Sequence, residues 1–108
     1  MTTFSLGLVT DTAGAATPLT TATGDPNPTI GVYRIRFRAR NANTGLVSIG
    51  LVGFTAGGAL MIGEVLKPSS GYSDEILIES EENDLTLAQY SLKPATNGDG
   101  AYVSYCRR

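Results

Sequence analysis

Four arginines at alternate positions of a ten-residue stretch, Gly31 to Arg40 (GVYRIRFRAR), restrict the fold of this chain more than any other feature. Tyr33, Ile35, Phe37 and Ala39 interleave with Arg34, Arg36, Arg38 and Arg40. A strand sends successive side chains to opposite faces, so the pattern predicts a half-buried β-strand with an apolar inner face and a guanidinium ladder outside.

The rest of the chain follows the same grammar. Phe4 to Val9 alternates Phe4, Leu6 and Leu8 against Ser5, Gly7 and Val9 and predicts a first strand. From Thr10 to Ile30 the sequence turns to Thr, Ala, Gly and Pro, broken by Asp25-Pro26-Asn27-Pro28. A connection of that length either hides a weak strand around Leu19 to Thr23 or is an extended arm lying on something else. After the Asn41 to Gly45 turn, Leu46 to Phe54 and Ala59 to Leu66 flank Thr55-Ala56-Gly57-Gly58 as a hairpin. Asp74 to Glu81, Leu85 to Leu92 and Ala101 to Cys106 complete seven or eight short strands with turns every ten or so residues. The expected architecture is all-β: one domain over residues 1–108, a β-sandwich of jelly-roll or related Greek-key type with an extended N-terminal segment at residues 10–30.

One stretch competes with this reading. Asn41 to Gly63 runs twenty-three residues without a charge, long enough for a membrane helix. Its six glycines, turn-like start and central Gly-Gly suit a hairpin better, so no membrane association is expected.

The ladder needs a counter-charge. Arginines two residues apart in a strand lie about 6.6 Å from each other, and each adjacent pair repels by about 0.6 kcal/mol at the dielectric of water. The net charge of −2 hides a segregation: residues 26–63 carry four positive charges and no acid, while residues 64–99 carry eight acids against Lys67 and Lys93. Glu75, Glu79 and Glu81, on one face of their own strand, are internal candidates for neutralising the ladder. An external acidic partner is the other, because the guanidinium fork matches carboxylate and phosphate alike. Nucleic acid is the weaker external option for an acidic chain with no Trp, no lysine cluster and no recognition motif.

Catalysis finds little support. Histidine is absent, so Ser69, Ser70 or Cys106 lacks the usual activating base. Glu79 and Glu81 could be drawn as a carboxylate pair, but on an exposed strand they read as solvated charges. Asp11, Asp25, Asp74, Asp84 and Asp99 sit in or near turns with no calcium-loop spacing. No catalytic residue, metal ligand or cofactor site is therefore expected. Cys106 stands alone, which rules out an internal disulfide, and the first twenty-five residues show no secretory pattern. Sandwiches of this size often bind sugars, and Tyr72 and Tyr90 are the aromatic contacts a carbohydrate-binding module would use.

The hairpin argues for company. Val47, Ile49 and Leu51 fall on one side and Leu46, Val52 and Phe54 on the other, more apolar surface than a lone sandwich can cover. At about 25 cal/mol per Å², a few hundred Å² left wet would forfeit several kcal/mol, so a homo-oligomer, a dimer or trimer, is expected. The expected partner-binding residues are Arg34, Arg36, Arg38 and Arg40 for charged contacts, with Leu46, Val52 and Phe54 for apolar ones.

The Thr/Ala/Gly-rich segment TDTAGAATPLTTATGDPNP, the YRIRFRAR strand and the closing AYVSYC together resemble the small structural proteins of tailed bacteriophages. The chain is most similar in style to their capsid decoration, or cement, proteins. The resemblance implies a non-enzymatic viral structural protein made in the host cytoplasm and located in the virion on the capsid surface, where it binds the major capsid protein or another virion protein and bridges neighbouring capsomers.

Overall fold

The computed structural model describes residues 2–11, 17–19, 31–55, 58, 60–65 and 74–107. The described strands are β1 (Thr2–Thr10), β2 (Thr17–Pro18), β3 (Arg34–Ala39), β4 (Val47–Leu51), β5 (Met61–Val65), β6 (Glu75–Glu79), β7 (Tyr90–Pro94) and β8 (Gly100–Arg107), with a 3-10 turn at Leu87–Gln89 ahead of β7. They form two four-stranded sheets, ordered β1-β8-β3-β6 and β2-β7-β4-β5. β1 pairs antiparallel with β8, β2 with β7, β3 with β6 and β4 with β5. The chain is thus one antiparallel ribbon folded on itself and wound around a core, the double-sheet jelly roll that the strand spacing predicts. Among the described residues no helix is long and apolar enough to cross a membrane, and the uncharged stretch contributes the antiparallel pair β4 and β5.

The period-2 pattern of the arginine stretch sets the layers. Ile35, Phe37 and Ala39 are buried while Arg36 and Arg38 are exposed. Opposite them, Val103 and Tyr105 of β8 and Val47, Ile49 and Leu92 of the second sheet close the core, with Val32, Leu19 and Leu87 sealing its ends. Burial of this interior is the main favourable term for a chain without disulfides. Leu19 is in the core just past β2, which pairs with β7. The described strand, Thr17–Pro18, lies just ahead of the one expected around Leu19 to Thr23, and the rest of the expected arm, residues 12–16 and 20–30, lies outside the described residues.

Three expectations shift. In β1 the inward set is Phe4, Leu6 and Val9, while Leu8 is 39% exposed. A bulge between Ser5 and Gly7 breaks the register, and Gly7 sits at φ +71°, a left-handed conformation that glycine adopts without steric penalty. One extra residue reverses which side chains face the core. The expected strand from Leu85 begins only at Tyr90, because Leu85 makes an isolated bridge to Val32 and Leu87–Gln89 turns.

The third shift concerns the hairpin. β4 ends at Leu51, and Phe54 folds back across the outside of the second sheet until it is 2% exposed. Gly50 makes room for it: a Cβ there would lie 2.8 Å from Phe54 Cγ and 2.6 Å from the Leu60 carbonyl oxygen. Lys93 clamps the ring, donating from Nζ to the Phe54 carbonyl at 3.0 Å and lying 5.0 Å from the ring centroid. The outward positions Ser48, Gly50 and Ser91 are buried as well. The chain therefore covers with its own Phe54 a face expected to need a neighbour. Val52, Leu60 and Ile62 keep apolar surface exposed.

Candidate functional site

The arginine ladder faces outward on the first sheet, and the register of that sheet sets its neighbours. Reading across β1, β8, β3 and β6, one row is Ser5, Ser104, Arg36 and Leu77; the next is Leu8, Tyr102, Arg38 and Glu75. Directly opposed residues in antiparallel strands have Cβ atoms about 4.5–5.5 Å apart, so each row is a line of contacting side chains.

The four guanidiniums have different fates. Arg34 Nη2 donates to Glu79 Oε2 at 3.0 Å, and Arg36 Nη2 lies 2.9 Å from Glu75 Oε2. The hydrogen bond and negative charge of Glu79 raise the Arg34 pKa above its ordinary value, so it stays a fixed cation. Arg40 leaves the ladder: its Nη1 donates to the Gly98 carbonyl at 2.7 Å and ties the turn after β3 to the turn before β8. Arg38 makes no ion pair among the described residues, since the carboxylate across from it, Glu75, reaches to Arg36. Among the described residues the carboxylates therefore neutralise the Arg34 end of the ladder and leave the Arg38 end positive.

Tyr102 stands beside Arg38 with 49% of its surface exposed. Together with Ser5, Arg36, Val103 and Ser104 these two residues line a shallow cleft of about 200 Å³. A charged fork, an aromatic ring and two hydroxyls on a flat sheet face offer hydrogen-bond donors and stacking area without an enclosed chamber.

The apolar candidates separate. Phe54 is buried within the chain, which corrects its expected place in an interface. Leu46 is half-buried at the start of β4, where its carbonyl accepts from the Ala95 N–H. Val52 is 43% exposed and, with Leu51, Leu60 and Gln89, lines an open groove at the hairpin tip on the second sheet. The arginines and the hairpin tip thus occupy separate surfaces. Tyr90, expected as a sugar contact, is 6% exposed, and burial, reinforced by Asp84, pushes its phenol pKa up. Tyr72 lies outside the described residues.

The acidic side chains do not gather. Glu79 is taken by Arg34, and among the described residues no group of three potential metal ligands comes together. Asp99 is buried and accepts from the Thr44 and Gly45 N–H groups and the Thr44 hydroxyl, while the Asn43 amide exchanges two hydrogen bonds with the Gly100 backbone. These two side chains bolt the 40–45 and 95–100 turns together, the turn chemistry expected of Asp99.

Tyr102, Ser104 and Ser5 were not among the expected site residues. The alternation of Ala101, Val103 and Tyr105 against Tyr102 and Ser104 carries the signal for two of them, because β8 is continuous and central in its sheet. Ser5 joins them only through the pairing of β1 with β8. In comparisons with known proteins the chain matches no family model, no curated protein and no solved structure.

Proposed function

We propose that the chain is a non-enzymatic structural protein of a viral particle, a decoration or cement subunit that bridges and stabilises neighbouring capsid subunits. The observation that carries the adhesive part of this reading is Arg38, a guanidinium without an ion pair among the described residues, set beside exposed Tyr102 on a flat sheet face. Arg and Tyr dominate the energetics of protein interfaces, and a flat face with a shallow cleft suits a protein surface better than a small metabolite. The hairpin tip with Val52, Leu60 and Ile62 supplies a second, apolar contact away from the ladder. The viral part rests on the sequence resemblance and on analogy, since jelly rolls recur in viral capsid proteins and in lectins.

The test is attachment. Reversing Arg36 and Arg38 to Glu should reduce occupancy on viral shells that lack the protein while the far-UV circular dichroism stays unchanged. Undiminished occupancy would remove this face from the contact. A carbohydrate-binding module is the second reading, supported by the exposed Tyr102 ring with Arg38, Ser5 and Ser104 around it. Clear hits on a glycan array, abolished by Tyr102→Ala, would favour it.

A further inference from the structure

We infer that the Arg38 end of this platform is occupied by the acidic turn of a second copy of the chain, so that copies join head to tail. The inference rests on the adhesive reading above and names the occupant of that face.

The reasoning starts from which charges are left over. β3 and β6 run antiparallel with Glu79 across from Arg34 and Glu75 across from Arg38. The bridges to Arg34 and Arg36 use both of these carboxylates. What remains is separated along the strands. Arg38 and Tyr102 stand at one end of the sheet, while Glu81, Glu82 and Asp84 follow β6 in an exposed turn at the other. Among the described residues, Arg38, Glu81, Glu82 and Asp84 make no ion pair.

The two sets cannot meet within one molecule. From Arg38 to Arg34 is four residues of strand, about 13 Å at ~3.3 Å per residue, before the acidic turn begins. No arginine side chain spans that distance along its own sheet. Among the described residues no nearer carboxylate replaces the missing partner: Asp74 adjoins the Arg38 end, where its carbonyl accepts from the Ala39 N–H, and makes no ion pair. A second copy displaced along the strand direction brings its Glu81 and Glu82 to the cleft, where Arg38 can fork a carboxylate and Ser5, Ser104 and Tyr102 can donate hydroxyl hydrogens. The complementarity is between unlike patches, so the contact is heterologous and leaves a free patch at each end of a pair. Copies then form a closed ring or an open row, a geometry suited to spanning neighbouring subunits of a shell.

Sedimentation of the purified full chain at low and high salt tests this. The wild-type protein should exceed monomer mass at low salt and fall toward it as salt screens the contact. Arg38→Glu, and separately the pair Glu81→Lys with Glu82→Lys, should each weaken association at least about tenfold. Neither variant should assemble alone, but mixing them should restore assembly beyond the dimer in strict alternation, because the reversed position 38 of one faces the reversed turn of the other while Arg38 faces the native acidic turn. Combining all three reversals in one chain should restore assembly. A wild-type chain that stays monomeric at low salt, or an Arg38→Glu chain that assembles normally, overturns the head-to-tail contact. If the chain is monomeric yet loses shell occupancy on reversal of Arg36 and Arg38, the adhesive reading survives with a different occupant. If assembly is lost with Arg38→Glu while shell occupancy is unchanged, the self-contact stands and the adhesive reading of this face falls.

Discussion

Phe54→Ala separates a ring that seals its own sheet from a ring that waits for a partner. Phe54 is 2% exposed, stacked over Gly50 and clamped by Lys93. A buried aromatic side chain removes about 150–250 Å² from water, worth about 4–6 kcal/mol at ~25 cal/mol per Å². Residual burial in the unfolded chain trims this to about 3 kcal/mol, and the loss of the Lys93 contact adds about 0.5 kcal/mol. The expected loss of about 3–4 kcal/mol is a large part of the ~5–15 kcal/mol that holds a domain together, and it would lower Tm by about 15 °C. Urea unfolding of the purified chain should show a lower midpoint at unchanged slope. Gly50→Ala should cost about 1–3 kcal/mol by overpacking. In the Phe54→Ala background that cost should shrink, because the contact with Cγ is gone, but not vanish, because the Leu60 carbonyl remains 2.6 Å from the new methyl. A Phe54→Ala chain within about 1 kcal/mol of wild type would refute the self-sealing account and return the ring to the interface.

Three other outcomes follow from the same geometry. Asp99→Ala should destabilise by about 2–3 kcal/mol in chemical denaturation, since it leaves the Thr44 and Gly45 N–H groups without their carboxylate acceptor. Truncating Arg34 or Glu79 to Ala should leave the denaturation midpoint nearly unchanged, and any difference should shrink at high salt, because that bridge is solvent-exposed. Tyr90 ionises above the ordinary tyrosine value of about 10 because burial disfavours the phenolate. Its contribution is therefore complete below pH ~10, where folded and unfolded chains are both protonated, and is lost as pH rises toward the folded pKa, where the unfolded chain binds fewer protons. Tyr90→Phe should flatten that alkaline decline in unfolding free energy; an identical decline would assign it to other groups.

Legibility differed by residue. The inward and outward sets of β3 were readable from alternation alone, because a six-residue strand with Ile35, Phe37 and Ala39 on one face and three arginines on the other has only one favourable way to lie on a core. The same rule misassigned Leu8, since a bulge is a backbone event that one Gly permits but does not announce. It also placed Phe54 outward, which was right for its side of the sheet and wrong for its exposure. Alternation says which face a side chain is on, not whether the chain returns to cover that face.

At the candidate site the division is similar. The ladder and its acidic counterparts were visible as charge segregation, but the sequence left open whether the carboxylates would be internal or external. Strand pairing and side-chain reach decided it: Glu79 bridges Arg34 directly across from it, Glu75 reaches diagonally to Arg36, and among the described residues Arg38 is left without an ion pair. Tyr102 became part of the site because β8 lies between β1 and β3, a pairing that joins residues more than sixty positions apart.

Sequence by itself determined the all-β class, the two-faced arginine strand and the separation of positive from negative charge, because these depend on neighbours within a few residues and on the period of the strand. Tertiary structure alone decided which cations are spent and which apolar groups are covered. Those depend on strand order, register and the return of a loop, long-range pairings whose free energy comes from contacts that no local stretch contains.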